Sequence, residues 1–279
     1  MIDLHCHSSF SDGALNPQEL LQRANENNLK CLSLTDHDTV AGCDLLINTA
    51  INSPIKIVRG IELSTRWKKN DVHILGYHIK DTPELNHVIE QQNSSRIDRA
   101  MQIGVCLERI GVEDAYNKAC SIAGHKRVGR PHFAALLIQE GKAKDMKAAF
   151  SSYLGRGKIA YIPTPWISVQ QAVSVILLSG GQAVVAHPFK YKLTRSKLHE
   201  LISEFKEAGG AGIEVVSGEM TIVQIKEMAS LAERFELLAS SGSDYHGDFQ
   251  SRVRLGQQQA LPINCRPIWQ DWNIEQGTL

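Results

Sequence analysis

Seven of the eleven histidines in this 279-residue chain fall in short motifs that also carry acids or close apolar runs. His5 and His7 stand two apart in MIDLHCH, so on a strand both imidazoles leave the same face and can meet at one point. Asp12 follows in SDG, Asp36, His37 and Asp38 are consecutive in TDHD, Glu62 lies in GIELS and His73 in DVHIL. Later come His132 in GRPHF, His187 in VVAHPFK, and Asp244 with His246 in SGSDYHG. Imidazole mixed with carboxylate is the donor set of Zn²⁺, Mn²⁺ and Fe²⁺. Each residue alone has a plainer reading: a strand-end histidine held by hydrogen bonds, a turn-forming aspartate, a surface glutamate. Together they exceed one ion's needs, since about four or five donors fill a first-row metal. The set predicts two or three ions.

Donors scattered over 240 residues need a scaffold that gathers them. Apolar or β-branched runs at 1–7, 30–36, 55–63, 72–79, 182–187, 212–217 and 236–243 read as strands. Amphipathic patterns at 17–28, 39–51, 168–179, 194–208 and 221–234 read as helices, with Pro17 in the first turn of one. Strand and helix in alternation, with continuous apolar strands, predict a parallel sheet or barrel. The metal-binding residue types finish strand after strand, where (β/α) barrels place their active sites.

The alternation fails between about 84 and 165, where helix follows helix with breaks at Gly111, Gly124, Gly141 and Gly155. This stretch predicts a helical insertion between barrel segments 1–83 and 166–279. Residues 90–165 hold 12 Lys/Arg against 7 Asp/Glu, and the remainder 18 against 23. The zero net charge therefore hides a basic segment beside an acidic body, as a phosphate-binding surface next to a carboxylate-lined metal site would give. Scattered surface charge explains the count equally well.

Hydrophobic content of 43% and charged content of 22% are those of an ordinary globular chain. No apolar run is long enough to span a membrane, and residues 1–20 lack a secretory pattern, so a cytoplasmic protein is expected. The six cysteines form no CxxC pair and predict free thiols. Zero net charge argues against indiscriminate polyanion binding. Neither a GxSxG elbow nor a P-loop is present, so covalent-serine and nucleoside-triphosphate chemistries lack support.

The order HxH, D, TDHD, GxE, H, H, AHP, SDxH resembles the PHP (polymerase and histidinol phosphatase) superfamily over residues 1 to about 250. FSSYLGRGKIAYIP and GGQAVVAHP are similar to phrases of its bacterial branch with an α-helical insertion. Two departures are Ile162 in YIP and the bulky Phe189 after Pro188. The resemblance implies a distorted seven-stranded (β/α) barrel with an inserted all-helical subdomain acting as lid or substrate-binding part. It implies a multinuclear centre: His5, His7, Glu62 and Asp244 on a first ion, Glu62, His73 and His132 on a second, Asp12, His37 and His246 on a third. Mn²⁺ is the expected metal, with Zn²⁺ or Fe²⁺ as the other candidates. Members of the branch act as 3′,5′-nucleoside bisphosphate phosphatases and as 5′→3′ exoribonucleases on 5′-phosphorylated RNA. The implied activity is phosphoester hydrolysis by metal-bound hydroxide on nucleotide and single-stranded RNA substrates, with no membrane and no obligate protein partner. The alternative on the same scaffold is a phosphatase of the histidinol phosphate type.

His187 is surplus to the nine implied ligands; it is a candidate acid for the leaving oxygen or a phosphate donor, against a structural histidine beside Pro188. Asp36 or Asp38 is a candidate for orienting an imidazole from behind, Asp38 equally for capping the following helix. Arg130, Arg156 and Lys158 are the candidates for phosphate contact. Arg96 and Arg99 would extend that surface toward longer RNA or lie on a solvated helix face.

Overall fold

The computed structural model describes residues 1–274. Strand β1 (Ile2–Cys6) leads through helix α1 (Pro17–Glu26) to β2 (Cys31–Leu34), then through α2 (Ala41–Thr49) to β3 (Lys56–Trp67) and β4 (Asn70–Tyr77). Four helices follow: α3 (Pro83–Glu108), α4 (Ala115–Ala123), α5 (Arg130–Gln139) and α6 (Met146–Ala149), the last running into a π-turn at Phe150–Leu154. The chain then forms β5 (Ile167–Ser168), α7 (Val169–Leu178), β6 (Gln182–Val185), a 3₁₀ turn at Pro188–Tyr191, α8 (Arg195–Glu207), β7 (Gly212–Ser217), α9 (Ile222–Arg234) and β8 (Leu238–Gly242). Helix starts carry local signals. Asn16 and Glu19 cap α1 reciprocally ahead of its buried stripe Leu20, Leu21 and Ala24, and Thr221 and Gln224 do the same for α9.

Seven strands lie in the order β1-β2-β3-β4-β6-β7-β8, with β5 paired to β3 off this path. The residues after β8 return to β1: Asp244 N–H donates to His5 O at 2.8 Å and His7 N–H to Tyr245 O at 2.9 Å, which nearly closes the barrel. The sheet is not all parallel. β4 is antiparallel to both β3 and β6, because the two residues between Trp67 and Asn70 allow a hairpin and no crossover helix. That reversal has a functional effect. His73, near the start of β4, pairs with Ser64 near the end of β3, and so stands with the C-terminal ends of the parallel strands.

Contacts divide the chain into two compact units, Met1–Val88 with the chain from Ile167 on, and Ile89–Trp166. The helical unit has its own core around Ile103, Leu107, Phe133, Leu137 and Leu154. In it, Arg96 and Arg99 are buried and lie over the Trp166 ring at 5.1 and 5.0 Å, so they are not on a solvated face. In the barrel unit, α1 and α2 pack Leu20, Cys43 and Leu46 against Leu32 and Leu34. Inside the barrel, Leu4, Leu75, Tyr77, Val184 and Ala186 pack with Ile268 and Trp272 of the irregular tail. The tail docks at the start of β8, where Ile268 N–H donates to Ala239 O at 3.0 Å, and so seals the end opposite the histidines. The described cysteines are free, with Cys6, Cys31 and Cys43 buried.

Closure depends on Gly242, where an added Cβ would sit 2.3 Å from His5 Cβ and 2.7 Å from its backbone nitrogen. Gly242→Ala must push β8 away from β1, at an overpacking cost of about 1–3 kcal/mol. The expected outcome is a lower unfolding midpoint together with weakened divalent-ion binding, measured by thermal melts with and without Mn²⁺; an unchanged midpoint would show that the two strands have room to part.

Candidate metal centre

At the C-terminal end of the barrel strands, His5 and His7 leave β1, Asp36 and His37 follow β2, Glu62 projects from β3 and His73 from β4. His187 follows β6, and Asp244 and His246 follow β8. Their nitrogen and oxygen atoms converge in four overlapping groups: His7, Asp12, His37 and His246; His5, His7 and Asp244; His5, Glu62 and His187; His37, Glu62 and His73.

Glu62 lies at the middle and is fully buried. Its Oε1 is 2.8 Å from His73 Nδ1 and 3.0 Å from His187 Nε2, and its Oε2 is 2.9 Å from His37 Nδ1, 3.3 Å from His7 Nε2 and 3.4 Å from His5 Nε2. Asp244 Oδ1 is 3.4 Å from both His5 Nε2 and His7 Nε2, which are 3.1 Å from each other. Donor atoms about 2.0–2.1 Å from a tetrahedral ion are about 3.3–3.4 Å apart, so the separation of each of these histidine nitrogens from either acid is one that shared ligation of an ion requires. Around Asp12 the spacings are wider, with His246 Nε2 at 3.4 Å and His37 Nε2 and His7 Nδ1 at 3.8 Å.

The hydrogen-bond pattern fits cations as well. His5 Nδ1 faces Glu214 Oε1 at 3.0 Å, which directs the His5 Nε2 lone pair toward His7. Two imidazole nitrogens face to face need a proton or a cation between them. Among the described residues, Asp12 Oδ1 and His187 Nδ1 are buried without a hydrogen-bond partner, and so are His37 Nδ1 and Glu62 Oε2, which approach each other outside hydrogen-bond geometry. Such orphans are rare in a folded interior unless an ion or water is bound.

Charges in the cluster are strongly coupled. Burial opposes ionisation of Glu62, yet His37, His73 and His5 around it hold its carboxyl well below the usual range. Burial also disfavours charged His7, but hydrogen bonds to Asp244 and Glu62 outweigh that and hold it up at about 10. For His37 burial wins over Glu62 and Asp12 and brings it down to about 4. His187 is likewise lowered by burial. Asp244 is kept ionised, against its burial, by Lys190 and His5.

A supporting layer fixes the donors, and the sequence reading missed most of it. Glu214, buried on β7, accepts from His5 through one oxygen and from His187 N–H through the other at 2.6 Å. Asp3 accepts from the backbone of His5, Ser243 and Gly256, tying β1 to the chain after β8. Tyr191 OH donates to Ala186 O at 2.8 Å and accepts from His73 N–H at 2.8 Å. Lys190 forms an ion pair with Asp244. An acid inside an apolar strand was the available signal for Asp3 in MIDL and Glu214 in GIEVV; for Lys190 and Tyr191 there was none. Asp36 accepts from Ser8 N–H and from the Ser8 and Ser11 hydroxyls, thereby shaping the turn before Asp12. Asp38 accepts from Ser64 N–H at 2.8 Å, while the N-cap of α2 is Val40, with no side-chain cap. Asp38, His187 and Asp244 all have positive φ, of 51°, 27° and 52°, where each chain segment turns out of its strand.

The remaining candidates are in the helical unit. His132 is in the first turn of α5, where its Nδ1 accepts from Gly129 N–H at 3.0 Å. Arg130 lies 6.0 Å over the Tyr161 ring. Arg156 and Lys158 are exposed on the loop after the π-turn. Nowhere among the described residues is a helix long and apolar enough to cross a membrane.

The chain is similar to known proteins. Residues 3–217 match the family model described as PHP domain. A 3′,5′-nucleoside bisphosphate phosphatase of Chromobacterium violaceum is 38% identical over 97% of this chain and 95% of its own. The 5′-3′ exoribonuclease Rnm of Escherichia coli is 37% identical over 99% of this chain and 95% of its own. A solved structure from Chromobacterium violaceum, described as an amidohydrolase with bound sulfate and no metal, superposes with a TM-score of 0.92 at 38% identity, covering 96% of this chain and 94% of that one. With the family model spanning most of the barrel and these relatives almost the whole length, the chain belongs to the PHP domain family.

Proposed function

We propose that this protein is a metal-dependent phosphoesterase that removes the 3′-phosphate of 3′,5′-nucleoside bisphosphates and trims 5′-phosphorylated RNA from its 5′ end. The observation that carries the reading is the set His5 Nε2, His7 Nε2, Glu62 Oε2 and Asp244 Oδ1, with 3.1–3.4 Å between each histidine nitrogen and the others. Such a set calls for a cation, and Glu62 has a second oxygen to share with another. The substrate classes follow from the two relatives named above, each more than one third identical over nearly full length.

In this reading His5, His7, Glu62 and Asp244 would hold one ion, and Glu62 with His73 would serve a second. Asp12, His37 and His246 form a third site. His187, with Nε2 at Glu62 and its backbone N–H fixed by Glu214, suits a ligand of the second ion better than the proton donor expected from sequence. Two or three divalent ions bound there would supply a strong nucleophile near neutral pH and positive charge for the phosphate oxygens. Glu214 keeps the His5 ring in one orientation, and Asp3 holds the His5 backbone N–H. Lys190, paired with Asp244, is positioned to bind a non-bridging phosphate oxygen. Arg130, Arg156 and Lys158 are assigned to phosphate recognition by their fork and point charges. Mn²⁺ is the metal proposed, and the cytoplasm the compartment.

The activity is tested by turnover on a 3′,5′-bisphosphonucleotide, a short 5′-phosphorylated RNA and histidinol phosphate, with Mn²⁺ and with EDTA. Hydrolysis of the first two, abolished by EDTA, is expected; turnover of histidinol phosphate alone would replace the reading with its small-molecule alternative. Asp244→Asn should leave a folded protein that binds fewer ions by elemental analysis and loses at least about a hundredfold in kcat. Wild-type stoichiometry and rate would remove Asp244 from the centre.

Metal uptake should also be linked to protons. Without ions, His5 and His7 are raised above their ordinary values by Glu214, Glu62 and Asp244 against the effect of burial, His7 to about 10. The stability these protons give is present below about pH 6.5 and is lost as pH rises through the raised values. At least one of the facing Nε2 atoms therefore carries a proton near pH 7.5 without ions, and binding of Mn²⁺ should release it. Calorimetry in buffers of different ionisation enthalpy measures this, and a value of zero would mean that the imidazoles are already neutral.

A further inference from the structure

Beside the metal centre, the barrel unit has a cleft of about 860 Å³ walled by the 3₁₀ turn, α8 and α9. It starts at Pro188 and Phe189, directly after the His187 that faces Glu62. Because α8 and α9 follow strand C-terminal ends, the cleft leaves the catalytic rim and descends the outer wall. Lys226 and Arg234, two helical turns apart on α9, line it with Lys192 and Arg195 at the head of α8. All four are exposed, and among the described residues none is paired with an acid. Glu227 is the cleft's one carboxylate. Four cations against one acid is a marked local excess in a chain with 30 of each sign.

We infer that this cleft is the track for the sugar–phosphate backbone of a single RNA strand whose 5′ end is processed at the metal centre. The inference rests on the phosphoesterase reading and extends it to substrate length. Lys226 and Arg234 are about 12 Å apart along the helix, farther than one phosphate reaches, so the cleft serves an extended polyanion rather than a second small anion. Phe189, 39% exposed at its mouth, offers a face on which a base can stack without sequence preference. A mononucleotide bisphosphate would occupy the metal centre and leave the cleft empty. The cleft therefore divides the two substrate classes: oligomers gain affinity from it and mononucleotides gain none.

The test compares wild type with the double variant Lys226→Gln, Arg234→Gln. Binding of a 5′-phosphorylated 12-nucleotide RNA is followed by anisotropy in EDTA over a salt series, and 3′,5′-bisphosphonucleotide hydrolysis is measured in Mn²⁺. The variant should bind the RNA on the order of tenfold more weakly, with the slope of log K against log salt reduced by about 1.4, or 0.7 per lost phosphate contact. Its bisphosphonucleotide hydrolysis should be unchanged. The pair Lys192→Gln, Arg195→Gln, on the other wall, should reproduce this if the first variant folds poorly. Unchanged RNA affinity and slope in both variants would overturn the track while leaving the phosphoesterase reading intact. Failure of wild type to hydrolyse the bisphosphonucleotide would overturn that reading instead. Displacement of the RNA by an acidic peptide of equal charge and length, at equal concentration, would assign the cleft to a protein partner and overturn the inference.

Discussion

A single buried carboxylate organises this molecule. Glu62 has no exposed surface, and five imidazoles lie within 3.4 Å of its two oxygens. An unpaired carboxylate at that depth would cost several kcal/mol in lost hydration. Glu62 is tolerable there only with positive charge around it, from protons on the rings or from bound cations. His37 Nδ1 stands 2.9 Å from Glu62 Oε2, and burial brings that ring down to about 4 against the pull of the carboxylate. Bound cations would supply that charge to Glu62 and the facing imidazoles together, so ion binding and the local stability of the fold share one electrostatic origin.

Two features of the barrel bring the imidazoles to Glu62. The hairpin between β3 and β4 reverses the chain, placing His73 diagonally across from Glu62 in the ladder. The near closure of β8 on β1, with no room for a side chain at Gly242, brings Asp244 and His246 against His5 and His7. Behind them, Asp3, Glu214 and Tyr191 hold backbone and ring positions through buried hydrogen bonds. Left-handed backbone at His187 and Asp244 aims these side chains back over the strand ends. Strain of this kind persists where the surrounding structure over-determines it.

The basic character of the chain is distributed differently from what its segment totals suggest. Two of the arginines counted in the helical stretch, Arg96 and Arg99, are consumed inside that unit against Trp166. Four exposed cations, Lys192, Arg195, Lys226 and Arg234, meanwhile line one cleft of the barrel, whose segments have an acidic overall balance. Segment totals carry no information about which face a charge occupies; helical periodicity and the neighbouring helix decide that.

Residue types and order alone determined the β/α alternation and the family, and pointed to the donor set and the helical insertion, because metal ligation needs specific atoms and those motifs are local. His5 and His7 on one strand face follow directly from the period of a strand. The sequence also held Asp3 and Glu214 in plain view, but an acid in an apolar run becomes a support for His5 only when strands 209 residues apart in the chain are brought together. Only the tertiary structure decided that β4 runs antiparallel, that the tail's Ile268 and Trp272 seal the barrel, and that His187 faces Glu62. These depend on loop length, closure and packing between distant segments. Short-range patterns report the chemistry a chain possesses, whereas the arrangement of that chemistry is set by contacts whose energy exists only after the barrel has formed.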